Sequence, residues 1–190
     1  MSGILVPQAP RGDDWDGYEK SMSDALYFEQ LKVGDRWVSP SRTVTEQDVS
    51  DFAGLTGDFD PLHTDQEYAA KSPFGRRIAH GLLGLSLVAG LSSQHPSMNT
   101  CAFVSISDWR FENPIYFDDT VHVVTEVVNL DSTSGGRAGE VTWQRQLLNQ
   151  DGQVLQQGQL RTLVNRKTRL RKPHMDRLRS STSDISDLNV

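Results

Sequence analysis

One apolar segment followed by several strand-like segments constrains the fold of this chain more than any other feature. Residues 82–91 read LLGLSLVAGL, with no charged side chain and with small Gly and Ser residues that permit close packing. A helix without a polar face is expected in the protein interior. The segment has ten residues, whereas a membrane-spanning helix needs about 20, so we expect no membrane span.

Four segments after this helix have the alternating pattern of half-buried strands. They cover residues 102–112, 120–129, 139–148 and 154–164, and the alternation is clearest in VHVVTEV and EVTWQRQLL. Asn149-Gln150-Asp151-Gly152 supplies turn residues between the last two strands. Because helices come first and strands follow, the order predicts an α+β fold. One apolar helix and one large antiparallel sheet suggest that the sheet curls around the helix.

The region before the apolar helix predicts a strand, a helix and a loop. Residues 35–44 are typical of a strand, with Pro40 at an edge or bulge because proline cannot donate to a sheet ladder. Thr45 is the expected cap of a helix that ends at Gly54 or Gly57. Residues 57–63, GDFDPLH, are then expected to form a loop, and a short helical turn, DQEYAAK, follows.

The length of 190 residues fits one domain with polar extensions. We place an N-terminal arm at residues 1–24, the domain at 25–164 and a C-terminal tail at 165–190. The net charge of −6 is the sum of +4 in the tail and −10 in residues 1–164. A basic tail can bind nucleic acid, but we favour a solvated tail and expect no nucleic-acid partner.

The sequence also gives an expectation about the cellular compartment. The start, MSGILVPQAPRGDDW, has no cationic region before its short apolar run, unlike a secretory signal. Cys101 is the single cysteine of the chain, which excludes an internal disulfide and a multi-cysteine zinc site. We therefore expect a cytoplasmic protein with no metal, and we expect Cys101 to be a small buried apolar group.

The densest group of chemically competent residues lies between Phe52 and Gly81. Asp58 and His63 are five residues apart on a segment that Gly57 and Pro61 stiffen. A carboxylate and an imidazole held toward one point can share a water molecule and exchange protons across a double bond. The spacing is equally consistent with Asp58 as the cap of a turn.

His80 and Gly81 stand directly before the apolar helix. The first N–H groups of a helix have no intrahelical partner, and glycine lets a ligand approach the backbone. Gly81 could therefore bind a carbonyl oxygen that gains negative charge. The alternative is an ordinary helix start, and we interpret His80 as a structural hydrogen-bonding residue.

These residues also resemble a known family signature. The run Gly57-Asp58-Phe59-Asp60-Pro61-Leu62-His63, followed by Ala69, resembles the hydratase 2 signature of the MaoC-like dehydratases, the (R)-specific enoyl-CoA hydratases. Ile78-Ala79-His80-Gly81-Leu82 resembles the second hallmark of that family, which opens its central helix. The resemblance extends over residues 27–164 and includes YFEQLKVGD and WRFENPIYFDDT.

The resemblance implies a hot-dog fold, in which an antiparallel sheet wraps a central helix, and a homodimer or higher homo-oligomer. It implies that the chain is a hydro-lyase that reversibly hydrates a trans-2-enoyl-CoA to an (R)-3-hydroxyacyl-CoA. In the family mechanism His63 takes a proton from water, Asp58 delivers a proton to C2, and the Gly81 N–H binds the thioester oxygen. No metal or redox cofactor is implied, because the thioester itself activates the alkene.

Two positions depart from the family pattern, and two others suggest a CoA contact. The Asn of the signature is Asp60 here, and a serine that some members carry on the central helix aligns with Ala89. Arg76 and Arg77 precede the site and are candidates for contacts with the CoA phosphates. The alternatives that remain open are a hot-dog acyl-CoA thioesterase and a non-catalytic acyl-CoA-binding protein.

Overall fold

A computed structural model describes residues 25–132 and 136–167 of the chain. The predicted arm at residues 1–24, and the predicted tail apart from residues 165–167, lie outside the described residues. In the described part of the chain, no helix is both long enough and apolar enough to cross a membrane.

Four α-helices and one 3-10 helix occur in the described residues. The 3-10 helix is Phe28–Gln30, and the α-helices are α1 Glu46–Thr56, α2 Pro61–Thr64, α3 Gln66–Ala70 and α4 Gly81–Leu91. Thr45 begins α1 as predicted, because its hydroxyl accepts from the Asp48 N–H while the Asp48 carboxylate accepts from the Thr45 N–H. The helix passes through Gly54 and ends before Gly57, whose φ of 78° is left-handed.

Six strands form one antiparallel sheet. They are β1 Arg36–Val38, β2 Arg42–Thr43, β3 Thr100–Phe111, β4 Thr120–Ser132, β5 Ala138–Leu148 and β6 Val154–Asn165. The strand order is β1-β4-β5-β6-β3, and β2 pairs separately with β4. All four predicted strands are therefore confirmed, and so is the α+β class. The strand predicted over residues 35–44 is two short strands, β1 and β2, on either side of Pro40, which cannot donate to the ladder.

The core forms where α4 packs against the sheet. Leu83, Leu87 and Val88 of α4 are buried against residues of β4, β5 and β6, and each such side chain contributes roughly 1.5–3 kcal/mol through burial. The expectation that α4 is buried on all sides is wrong. Leu82 is 59% exposed, on the wall of a cavity described below, and Ser86 is exposed as well.

A second core cluster lies on the same sheet and contains Trp143. Trp37 meets Trp143 edge to face at 6.4 Å, and Trp109 packs against both clusters. The prediction for Cys101 is wrong, because this residue is exposed. It lies on β3, an edge strand of the sheet, where alternation along the sequence does not distinguish a covered side chain from an uncovered one.

Candidate active site

Asp58 and His63 are positioned by the turn that joins α1 to α2. Asp60 begins α2, since its side chain accepts a hydrogen bond of 2.8 Å from the Leu62 N–H, and Pro61 occupies the first helical position. The segment predicted as a loop thus contains a short helix that carries His63. Asp60 makes the turn that asparagine would make, so the departure from the family signature preserves the local structure.

The ring of His63 has a defined tautomer. Its Nδ1 lies 2.7 Å from the carbonyl oxygen of Ile78. Because a carbonyl only accepts, Nδ1 carries the hydrogen and Nε2 of the neutral ring carries a lone pair. No hydrogen bond to Nε2 occurs among the described residues, and His63 borders three cavities. This nitrogen is therefore placed to accept a proton from a water molecule.

His80 stacks on His63 and is 2% exposed. The two ring centroids are 3.8 Å apart, with an angle of 33° between the ring planes. His80 donates from Nε2 to the backbone carbonyl of Asp58 at 2.9 Å. Its Nδ1 is buried and has no hydrogen-bond partner in the described residues. The prediction that His80 is a structural hydrogen-bonding residue agrees with these contacts.

Gly81 is the first residue of α4, so its N–H has no acceptor within the helix. A Cβ at this position would lie 3.0 Å from a ring carbon of Phe111, which shows how closely that ring approaches the backbone. The carbonyl of Gly81 accepts a hydrogen bond of 2.9 Å from the side-chain amide of Gln156. The start of α4 is therefore held by a β6 side chain.

The three predicted catalytic residues line one cavity. Its volume is about 410 Å³, and Asp58, His63 and Gly81 share its wall with His80, Phe52 and Phe111. A second cavity of about 260 Å³ also borders His63, Gly81 and Phe111, and it is lined by apolar side chains such as Ile78 and Ile115. The arrangement places an imidazole lone pair, a carboxylate and a helix N–H around one space next to an apolar cavity.

Arg76 and Arg77 lie away from this wall. The guanidinium of Arg77 pairs with Glu46 at 2.6 Å and lies over the ring of Phe117. Arg77 also borders a third cavity, of about 350 Å³, which reaches His63. Arg76 stacks on the Tyr116 ring at 3.8 Å. Both arginines therefore have partners within the chain, and their contact with CoA remains a prediction.

Donor atoms of Asp58, His63 and His80 lie within 4.8 Å of one another, so we considered whether this group fits a metal ion. Imidazole coordinates through a lone pair in its ring plane at about 2.0–2.1 Å. The two rings are stacked, and each has one nitrogen hydrogen-bonded to a carbonyl. Their remaining lone pairs do not converge, so the group fits proton transfer better than metal binding.

Sequence reasoning did not identify Phe111 and Gln156 as site residues. Both belong to strands, Phe111 at the end of β3 and Gln156 near the start of β6. The strand pattern in the sequence marks them as parts of a sheet, without indicating that both reach the first turn of α4. The one available signal was Gln156 itself, a large polar side chain in an alternating strand. Ala89, aligned with a serine of some relatives, does not border the cavities around His63.

Known proteins are similar to the central part of this chain. Protein MaoC of Klebsiella aerogenes is 38% identical over 97 residues, which are 51% of this chain and only 29% of that protein. The (R)-specific enoyl-CoA hydratase of Rhodospirillum rubrum is 33% identical over 104 residues, covering 55% of this chain and 71% of the hydratase. The crystal structure of a monoamine oxidase regulatory protein from Archaeoglobus fulgidus has a TM-score of 0.71 and 36% identity, and the match covers 76% of this chain and 97% of that chain.

The fold and the family both follow from further matches. A Mycobacterium tuberculosis protein with a double hot-dog fold has a TM-score of 0.68 at 18% identity, over 78% of this chain and 46% of that one. The hot-dog prediction is thereby confirmed. The family model described as a MaoC like domain matches residues 30–147, more than half of the chain, and the match includes Asp58, His63 and Gly81. The chain belongs to the MaoC-like dehydratase family.

Proposed function

We propose that this protein is an (R)-specific 2-enoyl-CoA hydratase, which also runs in reverse as a 3-hydroxyacyl-CoA dehydratase. The observation that carries the proposal is the single cavity of about 410 Å³ whose wall contains Asp58, His63 and Gly81. These groups supply an acceptor for a proton of water, a carboxyl group and a donor for a thioester oxygen. The neighbouring apolar cavity is suited to an acyl chain.

The reaction needs two proton transfers and one new carbon–oxygen bond. His63 Nε2 takes a proton from water while the water oxygen bonds to C3 of the alkene. In this scheme Asp58 starts as the neutral carboxyl group, which holds the water and transfers the carboxyl proton to C2 as the π bond breaks. The Gly81 N–H donates to the thioester oxygen, which gains enolate character. A proton then returns from His63 to Asp58 and completes the cycle, so no metal or redox cofactor takes part.

The CoA portion carries phosphate groups, and the proposed contacts for them are Arg76 and Arg77. The cavity beside Arg77 also reaches His63, so a thioester at His63 has a path toward this guanidinium. The present partner of Arg77 is Glu46, whose side chain is 65% exposed while that of Arg77 is 22% exposed, and ion pairs at the protein surface contribute only about 0–1 kcal/mol. A phosphate can replace Glu46 at small energetic cost.

We further propose a cytoplasmic homodimer or higher homo-oligomer. The strand β3 ends the sheet, and only its β6 side is paired among the described residues. Phe103, Val104 and Ile106 of this strand are all exposed. An unpaired apolar edge strand is a surface that a second copy can cover. No nucleic-acid partner belongs to this proposal.

Hydration of crotonyl-CoA tests the proposal. The reaction is monitored through the loss of the enoyl thioester absorbance, and the chirality of the product is determined. We expect an (R)-3-hydroxyacyl product from the wild type. Asp58→Asn and His63→Ala should fold and should lower kcat at least about 100-fold. Asp51→Asn, on the exposed side of α1, is the matched control and should keep the wild-type rate.

The same assays separate the alternatives. Release of free CoA thiol from acyl-CoA esters would indicate a thioesterase, and CoA-ester binding without turnover would indicate a non-catalytic binding protein. Wild-type rates in both Asp58→Asn and His63→Ala would show that the proposed roles are wrong.

A further inference from the structure

His80 contacts the ring of His63 and the backbone carbonyl of Asp58, the two residues on which the proposed proton transfers depend, without being assigned a role in them. Its ring lies between His63 and Phe52, with centroid distances of 3.8 Å and 5.1 Å. It is 2% exposed, so water does not separate it from either ring. A side chain placed in this way influences the chemistry through geometry and charge.

The hydrogen bond from His80 ties the Asp58 peptide to the start of α4. It measures 2.9 Å and joins residues 22 positions apart in the chain. The other hydrogen bonds of Asp58 itself are local and longer, since its N–H meets Thr56 Oγ1 at 3.3 Å and its Oδ1 accepts from the Asp60 N–H at 3.3 Å. The Asp58 peptide is therefore joined to the start of α4 by His80.

The ring stack becomes more important when His63 accepts a proton. His63 Nδ1–H is already bonded to the Ile78 carbonyl, so protonation at Nε2 gives a positively charged ring. This charge forms directly over the face of His80. A cation over the face of Trp, Tyr or Phe is stabilised by about 0.5–2 kcal/mol, with the larger values where water is excluded, and the imidazole face of His80 is proposed to act in the same way. The neutral His63 gains little from the same face, so the interaction favours the transition state.

We propose that His80 is a positioning residue of the reaction, whose ring supports the protonated form of His63 and whose Nε2–H fixes the peptide that carries Asp58. This inference rests on the proposed hydratase function. It assigns His80, which borders the cavity but is only 2% exposed, no proton transfer of its own.

Three substitutions separate the two contributions. His80→Leu removes both the aromatic face and the donor, His80→Phe restores the face, and His80→Gln restores an N–H donor. We expect kcat of His80→Phe to exceed that of His80→Leu by about 2- to 30-fold. We expect kcat of His80→Gln to exceed that of His80→Leu by about 2- to 10-fold. KM should change by less than about twofold in the series, because ground-state binding does not use these contacts.

A purely structural role would give a different result. All three variants would then have equal kcat values and would differ only in thermal stability, which would overturn the proposal. Wild-type turnover of crotonyl-CoA is measured first. If the wild type binds the CoA ester but does not hydrate it, the proposed hydratase function is wrong, whatever the geometry of His80.

A measurement on the unmodified protein tests that geometry without any substrate and without any folding risk. Long-range nitrogen–proton NMR spectra of the histidine rings should show the Nδ1–H tautomer for His63 and the Nε2–H tautomer for His80. The opposite tautomer at either ring would mean that its hydrogen bond to a carbonyl is absent, and the proposal would be overturned.

Discussion

Gln156 donates its side-chain amide hydrogen to the carbonyl oxygen of Gly81 at 2.9 Å, although 75 residues separate the two. The same side chain accepts from the indole N–H of Trp109 at 3.3 Å and is only 1% exposed. Gln156 therefore connects β6 and β3 to the first turn of α4. The proposed oxyanion donor is held by the sheet as well as by its own helix.

Replacing Gln156 by Leu should lower the free energy of unfolding by about 1–3 kcal/mol, because it leaves the partly buried indole N–H of Trp109 without an acceptor. Urea unfolding measures this change. Gln159→Leu, at a half-buried position of the same strand with no hydrogen bond described for its side chain, is the control and should change stability by less than about 0.5 kcal/mol. Equal effects of the two substitutions would contradict the importance of this bond.

Two glycines of α4 should respond to alanine in opposite directions. A Cβ on Gly84 would lie 2.2 Å from the Gln156 amide nitrogen and 2.5 Å from Ile115 Cδ1, whereas a Cβ on Gly90 would meet nothing within 4 Å. We expect Gly84→Ala to destabilise the protein by about 1–3 kcal/mol through overpacking. Gly90→Ala should stabilise it by up to about 1 kcal/mol, since alanine favours helix. Thermal unfolding of both variants would show whether the signs are as expected.

Periodic features of the sequence were predictable, whereas contacts between distant segments were not. The four long strands and α4 were predictable because hydrophobic alternation and an apolar run reflect burial directly. Asp58, His63 and Gly81 were identified because their motifs are local in the sequence. The exposure of Cys101 was not predictable, because it depends on β3 lying at the edge of the sheet.

The contact of Gln156 with Gly81 and the stack of His80 on His63 were equally hidden in the sequence. The first depends on the register of β5 with β6, which shifts between Leu147 and Leu148. The second depends on how the turn after α1 folds back onto the start of α4. Neither has a periodic signal, because each arises from packing between segments that are distant in the chain.

Asp60 provides a test of whether the carboxylate in place of the family asparagine matters for catalysis. Its structural role is to accept from the Leu62 N–H and so begin the helix that carries His63. Asp60→Asn preserves this acceptor, so we expect a kcat/KM within about threefold of the wild type. Asp60→Ala removes the cap, should cost about 0.5–2 kcal/mol of stability, and should lower kcat more than Asp60→Asn does. A large loss in Asp60→Asn would show that the charge itself is used.

The exposed edge of the sheet predicts a substitution that separates the proposed oligomer. Ile106 is exposed on β3, and a lysine there places a charge in an apolar edge. We expect Ile106→Lys to shift the protein toward the monomer in analytical ultracentrifugation. Val33→Lys, at an exposed position outside the strands, should leave the sedimentation unchanged. A monomeric wild type, or an unchanged Ile106→Lys assembly, would contradict pairing through β3.

Arg145 is a buried charge that should reduce the stability of the fold. It lies on β5 opposite Thr125 and Gly158, is 8% exposed, and has no carboxylate partner among the described residues. Its guanidinium lies over the Trp143 ring, at 5.8 Å from the ring centroid. Burial lowers the pKa of Arg145 to about 10. We expect Arg145→Met to raise the free energy of unfolding at pH 7 by about 1–3 kcal/mol.

The stability difference between Arg145→Met and the wild type should depend on pH if burial of the Arg145 charge is its cause. Below pH 10 both the folded and the unfolded chain hold the Arg145 proton, so the burial penalty is fully present. Above about pH 10 the unfolded chain binds more protons than the folded chain, so the contribution of Arg145 to the free energy of unfolding increases with pH. The advantage of Arg145→Met should therefore shrink as the pH passes 10. The control is Arg161→Met, which removes an ion pair with Glu140 and should lower the free energy of unfolding by at most about 1 kcal/mol. Destabilisation by Arg145→Met at pH 7 would contradict the prediction and would show that the Arg145 guanidinium is paired in solution.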